Sequence, residues 1–554
     1  MKNHINIKKN IKKITALLLI AMTLVLLSSC GDDGTGYVFS FPIDAPPEYL
    51  DPSIATGREA ELIIANAFEG LLCPYALDGG SDGLSPGVAY AWEKSEDGLR
   101  YTFHLRENTH WRLPSGAQKR LGLDDEAFAA FDTRVTARDF VFALRRGIDP
   151  ATGAPNASAL YPLKNARDIH QGKKAVETLG VEAVDDFTLL LTLEKPSDGF
   201  EQTLTQPIAM PCNQIYFEAT KGRYGLSPDN LLSNGPFSLS IWDNSQLRLR
   251  KNEGYAGETA VAPSAIVFKI QPDQSERLRL IGAEGGYSVA LMPASIAADA
   301  ETPYAKVWMN QRTGTSALLF HCGKSPFSSR KLRVAMCAAI DFDSIGENTG
   351  VSLIPDNAPL AGRTFADYNT SAPRNITPDK SRAKQLWQEG LAELQQTKIQ
   401  ISLLCTADDE RQMRVLLQQW QSVFGLSLQM DITPLTASAL QTRLQQGDYD
   451  IAFAELPADG SADRVLKNIA HSEGEDNVMR YQSKTVDALL TGIAQSTPEE
   501  AARGCRQTED HLLQNAVVYP FAPVISQLLV AKGVQGLRLS NTGDRVYFCG
   551  AIMS

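Results

Sequence analysis

The chain has 554 residues, with 53 Lys or Arg, 64 Asp or Glu, 43% apolar side chains and a formal charge of −11. That composition excludes a disordered or collagen-like polymer, and at about 150 residues per domain the length suggests three or four domain-sized units. Without the five lysines of the first thirteen residues the charge falls to −16, and no dense Lys/Arg run follows them, which argues against a nucleic-acid surface.

Lys2, Lys8, Lys9, Lys12 and Lys13 precede an apolar run over residues 14–27, and Ser28, Ser29 and Cys30 close it with small side chains. Fourteen apolar residues fall short of a hydrocarbon core of about 30 Å, so the pattern predicts an export signal rather than a membrane span. Leu27, Ser28, Ser29 and Cys30 resemble the lipobox of bacterial lipoproteins. That resemblance implies cleavage before Cys30, diacylation of its thiol and a soluble protein tethered to the membrane. Residues 1–29 are then a signal peptide and 30–36 a flexible tether. No later stretch reaches eighteen uninterrupted apolar residues, so no spanning helix is expected. Cys73, Cys212, Cys322, Cys337, Cys405, Cys505 and Cys549 remain, without a CxxC, scattered in the manner of buried small hydrophobes rather than of a disulfide framework.

Gly83, Leu84, Ser85, Pro86 and Gly87 match the GxSxG nucleophile elbow. The residue after the nucleophile must offer its backbone N–H to the oxyanion; Pro86 has none, so a turn is expected instead. Leu99, Tyr101, Phe103 and Leu105 alternate with polar residues and predict a half-exposed strand after the Asp97-Gly98 turn. Thr136 and Asp139 have the capping-box spacing ahead of a helix to residue 146. Residues 188–193 read as a strand, residues 233–236 as a turn, and residues 237–250 as a hairpin around Asp243 and Asn244. Gly323, Lys324 and Ser325 match the end of a Walker A loop, but Leu318 stands in place of its first glycine and Pro326 interrupts the helix that should follow. Of the seven histidines only His104 and His110 are neighbours, with no zinc-ligand spacing, and no carboxylate spacing marks an acid/base pair. The residues therefore predict no catalytic centre, no metal and no cofactor.

The later half changes character. Helices are expected over 381–396, 408–424 and 437–446, and strands over 398–404, 426–432 and 449–454. Such βαβαβ alternation implies parallel strands with right-handed crossovers, and ligands of open α/β sheets sit beyond the carboxyl ends of the strands. Residues 455–459, with Glu455 and Asp459, lie where that rule points, although an isolated acidic pair by itself reads better as a solvated loop.

A set of short motifs then runs through the chain in a fixed order. Leu50-Asp51-Pro52, Phe68-Glu69-Gly70-Leu71-Leu72, Pro86-Gly87-Val88-Ala89 with Trp92, and Tyr101-Thr102-Phe103 open it. Trp111, Val135-Thr136-Ala137-Arg138-Asp139-Phe140, Asn234-Gly235-Pro236-Phe237 with Trp242, Pro326-Phe327 with Arg333, Ala339-Ile340-Asp341, and Tyr481 with Val486-Asp487-Ala488-Leu489-Leu490 continue it. Together these resemble the family 5 extracellular solute-binding proteins, and residues 172–189 resemble their oligopeptide-binding branch. The resemblance implies an α/β fold, a two-lobed clamp of three domains. Residues 37–70, 196–290 and 518–554 would form one lobe, 71–195 an additional domain packed on it, and 291–517 the second lobe. It also implies a monomer at the outer face of the cytoplasmic membrane that carries oligopeptides to an ABC permease, with no enzymatic activity and no nucleic acid.

Within that family an aspartate in an Ala-Asp pair just beyond the last parallel strand holds the peptide's α-ammonium, which Ala458 and Asp459 match. Pro457, Leu456 and Glu455 precede them, Glu455 as a second acid toward cationic side chains. Gly57, Arg58 and Glu59 match the segment facing the ligand from the other lobe. Phe453 stands where one branch has an arginine for the ligand carboxylate, so that anchor is unassigned. Asn234, Gly235 and Trp242 read as turn and core residues. Residues 117–132 exceed the family's usual spacing and predict a surface excursion. A nickel chelate, sugar or cell-wall fragment as cargo, or a membrane-tethered hydrolase, are the competing readings.

Overall fold

The computed structural model describes residues 36–74, 84–197, 200–293, 304–341, 359–360, 363–364, 376–457, 462–474, 477–493, 498–540 and 545–554. Three sheets organise them. In the first, Val38–Ile43 runs parallel to Ala265–Ile270, which continues antiparallel into Gln246–Lys251 and Phe237–Trp242. The expected hairpin is present. The Asp243 carboxylate accepts the backbone N–H groups of Ser245 and Gln246, which closes its turn.

The second sheet is antiparallel, in the order Ala89–Lys94, Arg100–Leu105, Thr188–Thr192, Val181–Ala183. Tyr101, Phe103 and Leu105 are buried and the residues between them are not, as the alternation requires. The helix Ala137–Ile148 begins in the predicted capping box of Thr136 and Asp139. It runs beyond residue 146 because Gly147 and Ile148 are also buried, with Gly147 packed close against Ile208 and Leu160. The GxSxG segment is not a turn: Ser85 and Pro86 pair antiparallel with Cys73 and Leu72, and Ser85 is buried. Proline suits this two-residue edge ladder, whereas a nucleophile there would be sealed from any substrate.

One hydrophobic core underlies both sheets, from Phe39 and Phe103 through Phe140 and Phe237 to Phe548 near the carboxyl terminus. Asn66, on the helix Arg58–Ala67, stitches that late return of the chain: its amide donates to the Leu62 and Val546 carbonyls at 2.9 and 2.8 Å and accepts the Phe548 N–H at 3.0 Å. Arg146 grips buried Asp51, Nη1 to Oδ1 at 2.8 Å and Nη2 to Oδ2, while its guanidinium lies 4.2 Å over the Phe217 ring. Residues 117–132 form two short helices, Ala117–Leu121 and Asp125–Ala129, with Ala117 buried and Leu121 and Phe128 packed on this core. The excursion is thus partly built in. All seven cysteines of the described residues are free thiols, six of them buried.

The third sheet has six strands, in the order Val289–Pro293, Val518–Ala531, Ala305–Phe320, Ile451–Pro457, Ile399–Thr406, Leu428–Leu435. Its last three strands are mutually parallel, as the βαβαβ pattern predicts. Ile451–Pro457 also pairs antiparallel with Ala305–Phe320, so the sheet is mixed. Strand alternation feeds two cores. Leu318, Phe320, Phe453 and Phe521 join Trp387 and Trp420 on one face, whereas Ala317, Leu319, Leu456 and Val518 join Leu444, Leu466, Leu490 and Leu512 on the other. At the far end of Val518–Ala531, Leu528 and Val530 belong to the core of the first two sheets, together with Val289 and Leu291 of the neighbouring strand. The α/β fold therefore has two lobes, and the strand Val518–Ala531 runs from the core of one into the cores of the other.

Candidate ligand-binding site

The strand Ile451–Pro457 ends at the carboxyl edge of the parallel strands, with Glu455, Leu456 and Pro457 opposite Ser316, Thr315 and Gly314. Its alternation puts Ala454 and Leu456 into the core and leaves Glu455 exposed. Gly314 makes room for that acid. A Cβ at Gly314 would lie 2.5 Å from Glu455 Oε1 and 2.7 Å from the Leu456 carbonyl oxygen, so only glycine lets the carboxylate fold over the neighbouring strand. Ala458 and Asp459 lie outside the described residues, as does Cys30. The chain then enters the helix Ala462–Ala470.

Just upstream, Asp450 accepts the Ser402 N–H at 2.9 Å and its hydroxyl at 3.2 Å, with Lys324 Nζ at 3.5 Å from its other oxygen. These bonds fix where the strand starts and hence where it ends. Phe453 is buried, its ring 5.2 Å from that of Phe521 in an edge-on contact. The position is part of the core, which leaves no space for a cation facing a ligand.

Gly57, Arg58 and Glu59 stand on the other lobe. Gly57 precedes the helix Arg58–Ala67 with φ of 89°, a conformation that glycine adopts freely, and its carbonyl accepts the Glu61 N–H at 3.1 Å. Arg58 is exposed and Glu59 half-buried, while Ala60, Leu62, Ile63 and Ile64 anchor the helix in the first core. The assigned residues thus come from the ends of elements rooted in different cores, two sets on two bodies.

Asn234 and Gly235 hold a backbone junction rather than a ligand. The Asn234 amide donates to the Glu69 carbonyl at 2.8 Å and accepts the Glu69 N–H at 3.1 Å, and Gly235 touches the backbone of Ala67 and Phe68. Beside them the Glu69 carboxyl is buried, accepts the Tyr255 hydroxyl and has the Cys73 thiol at 3.8 Å. Burial pushes its pKa up to about 7. Sequence reasoning did not single out the exposed Trp308 and Ile525 on the long strands, because strands that pass between two cores carry no sustained alternation there. Among the described residues no group of three His, Cys, Asp or Glu is placed to hold a metal, and no helix is long and apolar enough to cross a membrane.

Comparison with known proteins bears on this arrangement. The family signature described as "Bacterial extracellular solute-binding proteins, family 5 Middle" matches residues 83–477. A "Dipeptide-binding protein" of Lactococcus lactis is 25% identical, over 97% of this chain and 98% of its own. The "Probable deoxycholate-binding periplasmic protein YgiS" of Escherichia coli is 26% identical over 92% of each chain. Among solved structures, Listeria monocytogenes OppA bound to peptide superposes with a TM-score of 0.76 at 22% identity, over 94% of this chain and all of that one.

Proposed function

The chain belongs to the bacterial extracellular solute-binding proteins of family 5, and from that membership we propose that it captures short peptides between its lobes and delivers them to an ABC permease. The observation that supports this reading is that the helix Arg58–Ala67 and the strand Ile451–Pro457, beside which the proposed contacts lie, are rooted in different cores. The peptide name of the Lactococcus relative and the peptide in the Listeria structure favour this cargo. The Escherichia relative, named for deoxycholate, keeps a non-peptide cargo as the second reading.

In the proposed complex the peptide lies extended and pairs through its backbone, which is blind to side chains and so admits many sequences. Asp459 neutralises the α-ammonium, a charged hydrogen bond worth roughly 1.5–3 kcal/mol. Pro457 and Ala458 set that acid just past the strand, and Leu456 offers backbone only, its side chain being in the core. Glu455, folded over Gly314, faces cationic side chains. Gly57, Arg58 and Glu59 close on the ligand from the other lobe. Residues 37–70, 196–290 and 518–554 form the first lobe, with the start of the strand Val518–Ala531 packed in the cores of the second, 71–195 its additional domain and 291–517 the second. The protein works as a monomer, by binding rather than catalysis, at the outer face of the membrane, tethered through lipid on Cys30 after removal of residues 1–29.

Mass spectrometry of compounds retained during purification tests the cargo. Peptides are expected; a bile acid, nickel chelate, sugar or cell-wall fragment in their place overturns the reading, and turnover of a substrate would overturn the binding role itself. For the anchor, Asp459→Asn is expected to weaken free-amine peptides about ten- to a hundredfold while leaving N-acetylated ones unchanged. Equal losses for both would remove Asp459 from the site.

A further inference from the structure

We propose that Arg167 and Glu473 form a closure latch, an ion pair between the lobes that sets how long the closed form persists. This rests on the two-lobed capture reading above. Arg167 lies in the helix Ala166–His170, whose Ala166 and Ile169 are buried in the first core. Glu473 follows the helix Ala462–Ala470, whose Val465, Leu466 and Ile469 are buried in the second lobe. The two side chains meet with Nη1 and Oε2 3.6 Å apart. Since each is rooted in its own core, the contact survives only while the lobes are together.

Both partners are held for the meeting. The Arg167 guanidinium lies 4.8 Å over the Tyr161 ring, and the Tyr161 hydroxyl is fixed by His170 Nδ1 at 2.7 Å. On the other side the Glu473 N–H donates to His471 Nδ1 at 3.1 Å, and the Gly474 N–H to the His471 carbonyl at 2.8 Å, which shapes the loop that presents the acid. A second cation stands at the boundary. Burial, then the charge of Arg167, hold the Lys467 ammonium below the usual lysine range, while Asp463 opposes them. Arg167 thus faces a like charge on Lys467, and Glu473 supplies it with an opposite one across the boundary. Both latch partners remain largely open to solvent, so the bond is modest, reversible and sensitive to salt. A carrier that must release its cargo needs a contact of that strength.

Hydrogen exchange of the full chain in detergent, with dissociation of the probe tripeptide Ala-Ala-Ala, tests the latch. Glu473→Arg is expected to raise amide exchange at least threefold in both 166–170 and 462–474, and to speed tripeptide release by a similar factor. The reversal Arg167→Glu with Glu473→Arg should bring both within twofold of the wild type, and 0.5 M KCl should erase the differences. Unchanged exchange in Glu473→Arg, or a reversal as damaging as the single change, overturns the latch. If the tripeptide fails to bind while exchange responds as stated, the cargo reading fails and the latch stands.

Discussion

Val518 and Val530 stand twelve residues apart on one strand, Val518–Ala531, and are buried in the cores of different lobes. At about 3.3 Å per residue the strand carries the chain some 40 Å from one core to the other. Between them residues 522–525 are not buried. Over and beside this stretch the partner strand Ala305–Phe320 shifts register three times, at Val307/Met309, Arg312/Gly314 and Ser316/Ala317. Each shift interrupts the ladder and lets the strand bend. Two cores joined through a strand whose ladder is broken in its exposed middle have the geometry that the proposed closure around a ligand requires.

Gly314 lies at one of these shifts and beneath Glu455. Gly314→Val places atoms where the Leu456 carbonyl and the Glu455 carboxylate now sit, an overpacking expected to cost about 1–3 kcal/mol. Melting should report the loss. Calorimetry should show Lys-Lys-Lys weakened more than Ala-Ala-Ala, because the displaced group is the acid; equal weakening would mean that Glu455 does not read side-chain charge.

Asp51 is buried beneath Arg146, so Asp51→Ala leaves a guanidinium without its counter-charge inside the first lobe. The expected destabilisation is about 3–5 kcal/mol. Replacing both partners, Asp51→Leu with Arg146→Met, should restore much of it, as urea unfolding can show. A double variant as unstable as the single one would contradict this account of the pair.

The Glu69 carboxyl titrates at about 7 in the folded chain against an ordinary 4.5, because burial disfavours its charge. The folded state therefore keeps a proton that the unfolded chain releases. Its contribution to stability is full below pH 4.5 and is lost as pH rises through 7, a change of roughly 3 kcal/mol. Glu69→Gln retains an acceptor for the Tyr255 hydroxyl and removes the titration. Its melting temperature should vary less between pH 5 and pH 8 than that of the wild type; parallel profiles would exclude Glu69 as the source.

Cys30→Ala removes the thiol proposed as the site of acylation. Fractionation should move the protein from membranes to the soluble phase. Retention at the membrane would refute a lipid tether at that position.

Much of the fold was legible where a segment meets one core on one face. The strand Arg100–Leu105 and the capped helix Ala137–Ile148 carry a single period over their length, the hairpin at Asp243 is marked by its turn, and the run after residue 380 by its alternation of helices and strands. The strand Val518–Ala531 carries no single period, since it changes core partway and is not buried at residues 522–525, and Ala305–Phe320 likewise begins in a small satellite cluster and ends in the second-lobe cores. Ser85 looked like a turn residue because Pro86 follows it, yet two residues of edge pairing need no N–H from that proline. For the candidate site, the sequence predicts that the last parallel strand ends at residue 454, with 455–459 beyond it; the strand runs on to Pro457, and its alternation leaves Glu455 exposed and Leu456 in the core. Gly314 and the Arg167–Glu473 pair were invisible to sequence reasoning, since both depend on contacts between segments more than a hundred residues apart.

Small-angle scattering of the Cys30→Ala chain, with and without a pool of short peptides, tests most directly whether two lobes close on such a cargo. The account predicts a smaller radius of gyration and a higher melting temperature when the pool is added. A curve and a melting temperature that both stay unchanged across the whole pool would contradict it.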